Sequence, residues 1–225
     1  VFASQVVSGN TSFNKFSSHS KNALNIQKIT GQRIFVEVDG EYVLLTTPAV
    51  YETGLNYARW YYKLDGDLIV VTSVVTYDKS QIVTTVKANN PHKYLVSEFI
   101  CMAPNDYENP YYYEVEEGKI KYLPHEHSLA GNHYPTLSFT RTLDCEYKLH
   151  TDEVFYEDGI SRGDSLHVLE VSGKEFSMTL VGDTFAKGYE ASPVDFDLSV
   201  SQYVGFINGL LSNLHMSIDN EESEN

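Results

Sequence analysis

The feature that most constrains this chain is a recurring grammar of short β-favouring runs closed by turn dipeptides. Ile34 to Val38 and Glu41 to Thr46 flank Asp39-Gly40, a two-residue hairpin turn. Trp60 to Leu64 and Leu68 to Val75 flank Asp65-Gly66 in the same way. In that second hairpin Tyr61, Lys63 and Asp67 interleave with Trp60, Tyr62 and Leu64, the alternation of a half-buried strand, whereas Ile69-Val70-Val71 is continuous, as in a strand entering a doubly covered core. Ile82 to Val86 pairs across the turn Tyr77 to Ser80. Asn89-Asn90-Pro91 closes a further turn, and Tyr94 to Ile100 makes the next strand. This pattern belongs to a mainly β fold, an antiparallel sandwich or barrel.

From Ala103 to Pro135 the chain changes character and reads as a long loop region carrying one hairpin, Tyr112 to Val115 and Ile120 to Leu123 around Gly118. Strand grammar resumes at Thr136 to Thr140, Glu146 to His150, Leu166 to Val171 and Glu175 to Val181, the last two joined by a turn at Ser172-Gly173-Lys174. After Pro193 the period changes. Val204, Ile207, Leu211 and Leu214 recur at helical spacing behind a Ser199 or Ser201 cap, and Gly205 and Gly209 inside that helix each cost about 1 kcal/mol relative to Ala. The expected organisation is a β-sandwich domain over 1–198, then a helix and acidic tail over 199–225 that read as a linker to a helical domain absent from this chain.

A formal charge of −15 disfavours nucleic acid and anionic membrane as partners, since both are bound through Lys and Arg clusters, but leaves a neutral ligand such as a sugar open. Of the 225 residues 42% are hydrophobic and 17 are Tyr, enough for a sizeable core with aromatic side chains left over for a binding surface. There is no apolar run long enough to span a membrane and no leader, so a soluble, cytoplasmic setting is expected, with secretion left open by the Asn10-Thr11-Ser12 sequon. The start at Val1 is read as the mark of an excised piece or of a processed product from which a leader could have been removed. Cys101 and Cys145 lack metal or redox spacing and are expected as buried thiols, with a disulfide between neighbouring strands as the alternative.

Three groups of residues invite a chemical reading. His125-Glu126-His127 with His133 could ligate a metal, as in jelly-roll metalloenzymes, if His150 or His167 completed the set; local hydrogen bonding or a polar ligand surface is the alternative. Tyr111-Tyr112-Tyr113, with Tyr107, Trp60 and Tyr57, could form an aromatic platform for sugar rings, or could pack into the core with hydroxyls at the rim. Glu114, Glu116 and Glu117 read as a solvated edge. No nucleophile elbow, P-loop, dinucleotide fingerprint or zinc-protease pair is present, so no catalytic residue, no metal and no cofactor is assigned.

The stretch Thr53-Gly54-Leu55-Asn56-Tyr57-Ala58-Arg59-Trp60, with Asp65-Gly66-Asp67-Leu68 and Val83 to Asn90 ending in Asn89-Asn90, resembles the N-terminal domain of glycoside phosphorylases of the cellobiose phosphorylase type and related glycoside hydrolases. The resemblance covers Gly54 to Ile100 and the terminal helix. It implies an antiparallel, galactose-mutarotase-like β super-sandwich joined by helices to an (α/α)-barrel that carries the catalytic acid. It also implies a structural role for Tyr57, Arg59 and Trp60, and loops that contribute to homodimer contacts or to the rim of an active site.

The leading expectation is therefore a non-catalytic domain of a carbohydrate-active enzyme, supporting a sugar site built mainly elsewhere. Its alternatives are a free-standing carbohydrate-binding or adhesion module, and a jelly-roll metalloenzyme using His125, His127 and His133. The residues expected to touch a ligand are Tyr57, Trp60, Tyr111, Tyr112, Tyr113, His125, His127 and His133. The expected partners are carbohydrate and a C-terminal helical domain of the same polypeptide.

Overall fold

Alternating burial and two-residue turns dictate the first elements. Asp39 and Gly40 both take positive φ, 52° and 87°, as do Glu117 and Gly118 at 50° and 72°, and turns of this hand match the right-handed twist of the strands they join. The computed structural model describes residues 3–5, 15–17, 31–64, 66–78, 80–100, 111–128, 131–132, 134–163, 167–183 and 185–213. Its strands are β1 (Ala3–Gln5), β2 (Lys15–Ser17), β3 (Gly31–Val38), β4 (Glu41–Leu44), β5 (Val50–Thr53), β6 (Tyr57–Leu64) and β7 (Asp67–Val75). They continue with β8 (Gln81–Phe99), β9 (Tyr112–Glu116), β10 (Lys119–Leu123), β11 (Ser138–Leu143), β12 (Tyr147–His150) and β13 (His167–Asp183). A 3-10 turn, Asp152–Phe155, precedes β13, and helix α1 (Phe196–Leu211) follows it.

The strands β1 and β2 pair with each other, and the rest form a single antiparallel sheet that folds over on itself. The fold rests on β8 and β13, which pair along nearly their whole length. On its other edge β8 pairs with β7 from Ile82 to Ala88 and with β3 from Tyr94 to Phe99. Likewise β13 pairs with β12 over Val168 to Val171 and with β11 over Met178 to Asp183. One layer thus runs β5-β6-β7-β8-β13-β11-β10-β9, and the other β4-β3-β8-β13-β12.

The layers part at a bulge: Lys87 pairs with Glu175 and His92 with Gly173, so residues 88–91 stand opposite Lys174 alone. Here the structure differs from the sequence reading. Asn89-Asn90-Pro91 and Ser172-Gly173-Lys174 are not turns between strands but facing irregularities inside two continuous ones. Asp67 holds the corner: its Oδ2 bonds His92 Nε2 at 2.7 Å and accepts the Asn90 N–H at 3.0 Å, while Oδ1 accepts those of Leu68 and Asn89 at 2.7 and 3.3 Å. The His92 bond above all, reinforced by these backbone donors against the opposing effect of burial, keeps the Asp67 carboxyl well below the usual carboxylate range.

Between the layers lies one apolar core. Trp60, Ile69, Val71, Val86, Phe139, Phe176 and Met178 of the first layer meet Ile34, Val36, Tyr94, Val96, Leu169 and Val171 of the second. Each fully buried large side chain contributes about 1.5–3 kcal/mol relative to exposure. Helix α1 starts one turn earlier than the sequence suggests, because Asp195 caps it, accepting the Leu198 N–H at 2.8 Å. Ser199 instead docks the helix: Asn56 Nδ2 donates to its carbonyl and hydroxyl, both at 3.4 Å, and to Val75 O at 2.9 Å. Among the described residues no helix is long and apolar enough to cross a membrane.

Candidate functional site

The residues singled out in the sequence fall in separate places. Tyr57 and Trp60 lie on β6 and the tyrosine run lies at β9, near opposite ends of the first layer's strand order. Trp60 points inward and is fully buried. Tyr57 is half-buried on the outer face, donating its hydroxyl to Glu52 at 2.8 Å and meeting Phe196 of α1 edge-on at 4.9 Å. Arg59 beside it donates to Thr72 and places its guanidinium 4.5 Å from the Phe196 ring. Gly54 is needed there because a Cβ would lie 2.1 Å from the Tyr57 ring.

At the other end, Tyr111 is buried while Tyr112 and Tyr113 are 42% and 37% exposed. Tyr112 lies 5.5 Å from the ring of His125, which is half-buried, and His127 is solvent-exposed against Glu126. His133, Tyr107 and Cys101 lie outside the described residues. Cys145 is a half-buried free thiol. Among the described residues no three His, Cys, Asp or Glu side chains gather as a metal site. His150 bonds Glu170 at 3.1 Å instead.

What the sequence reading missed is a polar network sealed between the layers. Inward positions of β8, β10, β11 and β13 place Glu98, Tyr122, Arg141 and His167 together, all essentially buried. Arg141 grips both Glu98 oxygens, its Nε donating to Oε2 at 3.1 Å and its Nη2 to Oε1. Tyr122 donates to Glu98 Oε2 at 3.1 Å and contacts His167 Nε2, while Gln32 donates to Glu98 Oε1 at 3.1 Å and Tyr111 lies 3.2 Å from His167 Nδ1. Burial alone raises the Glu98 carboxyl, but the Arg141 guanidinium and then His167 outweigh it and hold it at about 2. Burial, and after it the Glu98 charge, pushes the Tyr122 hydroxyl well up. The visible trace in the sequence is period two: Phe139 and Arg141 share a face, as do Val96 and Glu98, so a charge stands where the alternation calls for an apolar residue.

The outer face of the first layer is built differently. The inward turn of Ile120, Tyr122, Phe139 and Arg141 leaves Lys119, Lys121, Ser138, Thr140 and Thr142 facing outward. They floor a groove of about 780 Å³. Its wall is the segment after β13, shaped by Asp183, which accepts the N–H groups of Phe185, Gly188 and Tyr189 at 3.1, 2.8 and 3.3 Å. Gln81 clamps the same segment further on, exchanging two 3.1 Å hydrogen bonds with the Ser192 backbone.

Residues 1–182 match the glycoside phosphorylase supersandwich domain. The chain belongs to that family. A 1,2-beta-oligoglucan phosphorylase of Listeria innocua serovar 6a is 39% identical over 157 residues, covering 69% of this chain but 14% of that protein. This supersandwich chain thus spans a small part of the length of its curated relative. A solved structure described as a kojibiose phosphorylase from the human microbiome aligns over 84% of this chain and 26% of that one, at 8% identity and a TM-score of 0.39, too weak a likeness to bear on the argument.

Acid–base chemistry on this chain would call for a carboxylate free to give or take a proton, and the buried carboxylates test that. Among the described residues each is tied to internal donors: Asp67 to His92 and the corner N–H groups, Glu98 to Arg141, Asp152 to Ser161 and the Arg162 N–H, Asp183 to its loop. Asp67, Glu98 and Asp183 are all held below their ordinary range, the opposite of what a proton donor at neutral pH requires.

Proposed function

We propose that this chain is a non-catalytic supersandwich domain of a glycoside phosphorylase, supporting a sugar site built mainly by another part of the same polypeptide. The family supplies the enzyme class; the observation that carries the division of labour is that the buried carboxylates of Asp67, Glu98, Asp152 and Asp183 spend their oxygens on internal donors. A second feature supports a partner within the polypeptide. Leu198, Phe206, Leu210 and Leu211 of α1 remain exposed, an apolar surface that a following helical domain would cover. The test compares the 225-residue chain with the full-length polypeptide for release of sugar phosphate from 1,2-β-oligoglucan and inorganic phosphate. Turnover by the full-length protein alone is expected. Turnover by the isolated chain would overturn the reading.

A further inference from the structure

We infer that the groove on the outer face of β10 and β11 is a carbohydrate-binding subsite for a neutral oligosaccharide. The inference rests on the proposed function for the kind of sugar and on the groove itself for the site. Ser138, Thr140 and Thr142 are half-buried along the floor, and their hydroxyl rotors donate and accept, the two-way bonding that sugar hydroxyls require. Tyr189 on the wall is 45% exposed; the Lys187 ammonium lies over one side of its ring, 5.9 Å from the centroid, and the other side can stack on the C–H side of a sugar ring. The volume of about 780 Å³ falls within the roughly 300–1,000 Å³ typical of small-molecule sites.

Charge sets the ligand class. Lys119 and Lys121 share the groove with Glu116, Glu117, Asp183 and Glu190, so acidic side chains outnumber basic ones and a phosphate finds no net attraction. The wall is also preorganised. Asp183 and Gln81 fix the 185–192 segment through main-chain bonds at both ends, so little ordering remains to be done when a ligand arrives. Tyr112 at β9 is not among the groove's lining residues: it sits against His125, and its strand partner Leu123 marks the groove's margin, which makes Tyr112 the control for the neighbouring surface.

The experiment is calorimetric titration of the 225-residue chain with 1,2-β-oligoglucans of increasing length, and separately with inorganic phosphate. Saturable binding of the oligosaccharide is expected, with Tyr189→Ala and Thr140→Val each weakening it about tenfold, Tyr112→Ala leaving it unchanged, and phosphate giving no heat. Unchanged thermal midpoints of the three variants establish that they fold; both groove substitutions lie on the outer surface. Binding lost in Tyr112→Ala but intact in Tyr189→Ala and Thr140→Val would overturn the assignment in favour of the β9 surface, and binding of phosphate alone would overturn the neutral class. No oligosaccharide binding, while the full-length protein still phosphorolyses the same sugars, would sink the subsite and leave the proposed function standing. If neither chain acts on or binds these sugars, both fall.

Discussion

Replacing Arg141 with Met tests whether the buried network is an electrostatic necessity or a replaceable filler. Met keeps an unbranched apolar stem but removes the guanidinium that grips both Glu98 oxygens, leaving a carboxylate sealed between two layers with Gln32, Tyr122 and His167 as partners. Breaking one side of a buried ion pair costs about 3–5 kcal/mol. The depressed Glu98 carboxyl is of the same order: held at about 2 in place of an ordinary 4.5 by Arg141 and His167 together, against the opposing effect of burial, it corresponds to about 3 kcal/mol at neutral pH. Because the folded value is depressed, this stabilisation is fully present above the unfolded pKa and is lost as pH falls through about 4 towards 2. Urea unfolding at pH 7, followed by the emission of buried Trp60, should show the midpoint of Arg141→Met lowered by roughly 1–2 M. At pH 3 the difference from the parent should shrink. The companion Glu98→Gln, Arg141→Met should recover part of the loss, since no unpaired charge remains. A single variant within about 1 kcal/mol of the parent at pH 7, or a loss that does not diminish in acid, would refute this reasoning.

Three further outcomes follow from the geometry. Asp67→Asn should cost about 2 kcal/mol by weakening charge-assisted bonds at the corner, and should raise hydrogen exchange first at the amides of Asn89 and Asn90; because the Asp67 carboxyl is also depressed, the parent's advantage holds above the ordinary carboxylate range and fades in acid. Gly209→Ala should stabilise α1 by about 1 kcal/mol in this chain, as a Cβ there meets nothing within 4 Å, read as a gain in helical circular dichroism on heating; the same change in the full-length protein should lose that gain if a neighbouring domain lies on the helix. Asp195→Ala should cost about 1 kcal/mol of helix stability, measurable as faster exchange of the Leu198 amide.

How far the fold could be read in advance depended on the range of the interactions involved. The hairpins at Asp39-Gly40 and Glu117-Gly118 were legible because a local backbone demand writes itself into adjacent residues. The corner was not, for the same reason: Asn89-Asn90-Pro91 and Gly173 carry the vocabulary of turns, and only their mutual pairing and the reach of Asp67 make them bulges. Trp60 shows the limit for site residues, since an aromatic ring at an inward strand position and one at an outward position look alike until the face is known. His167 was visible only as a histidine; its partners Glu98, Tyr122 and Arg141 come from three other strands. The groove stayed hidden because its floor is made of ordinary Ser and Thr at alternate positions, and its wall is a segment without regular structure.

The two strands that belong to both layers carry a kinetic consequence. Separating β8 from β13 opens both layers at once, so the slow-exchanging amides of these two strands on either side of the bulge should share a single opening event with one free energy. A ligand held on the outer face of the first layer would then slow exchange in the second by the same factor, with no contact between them.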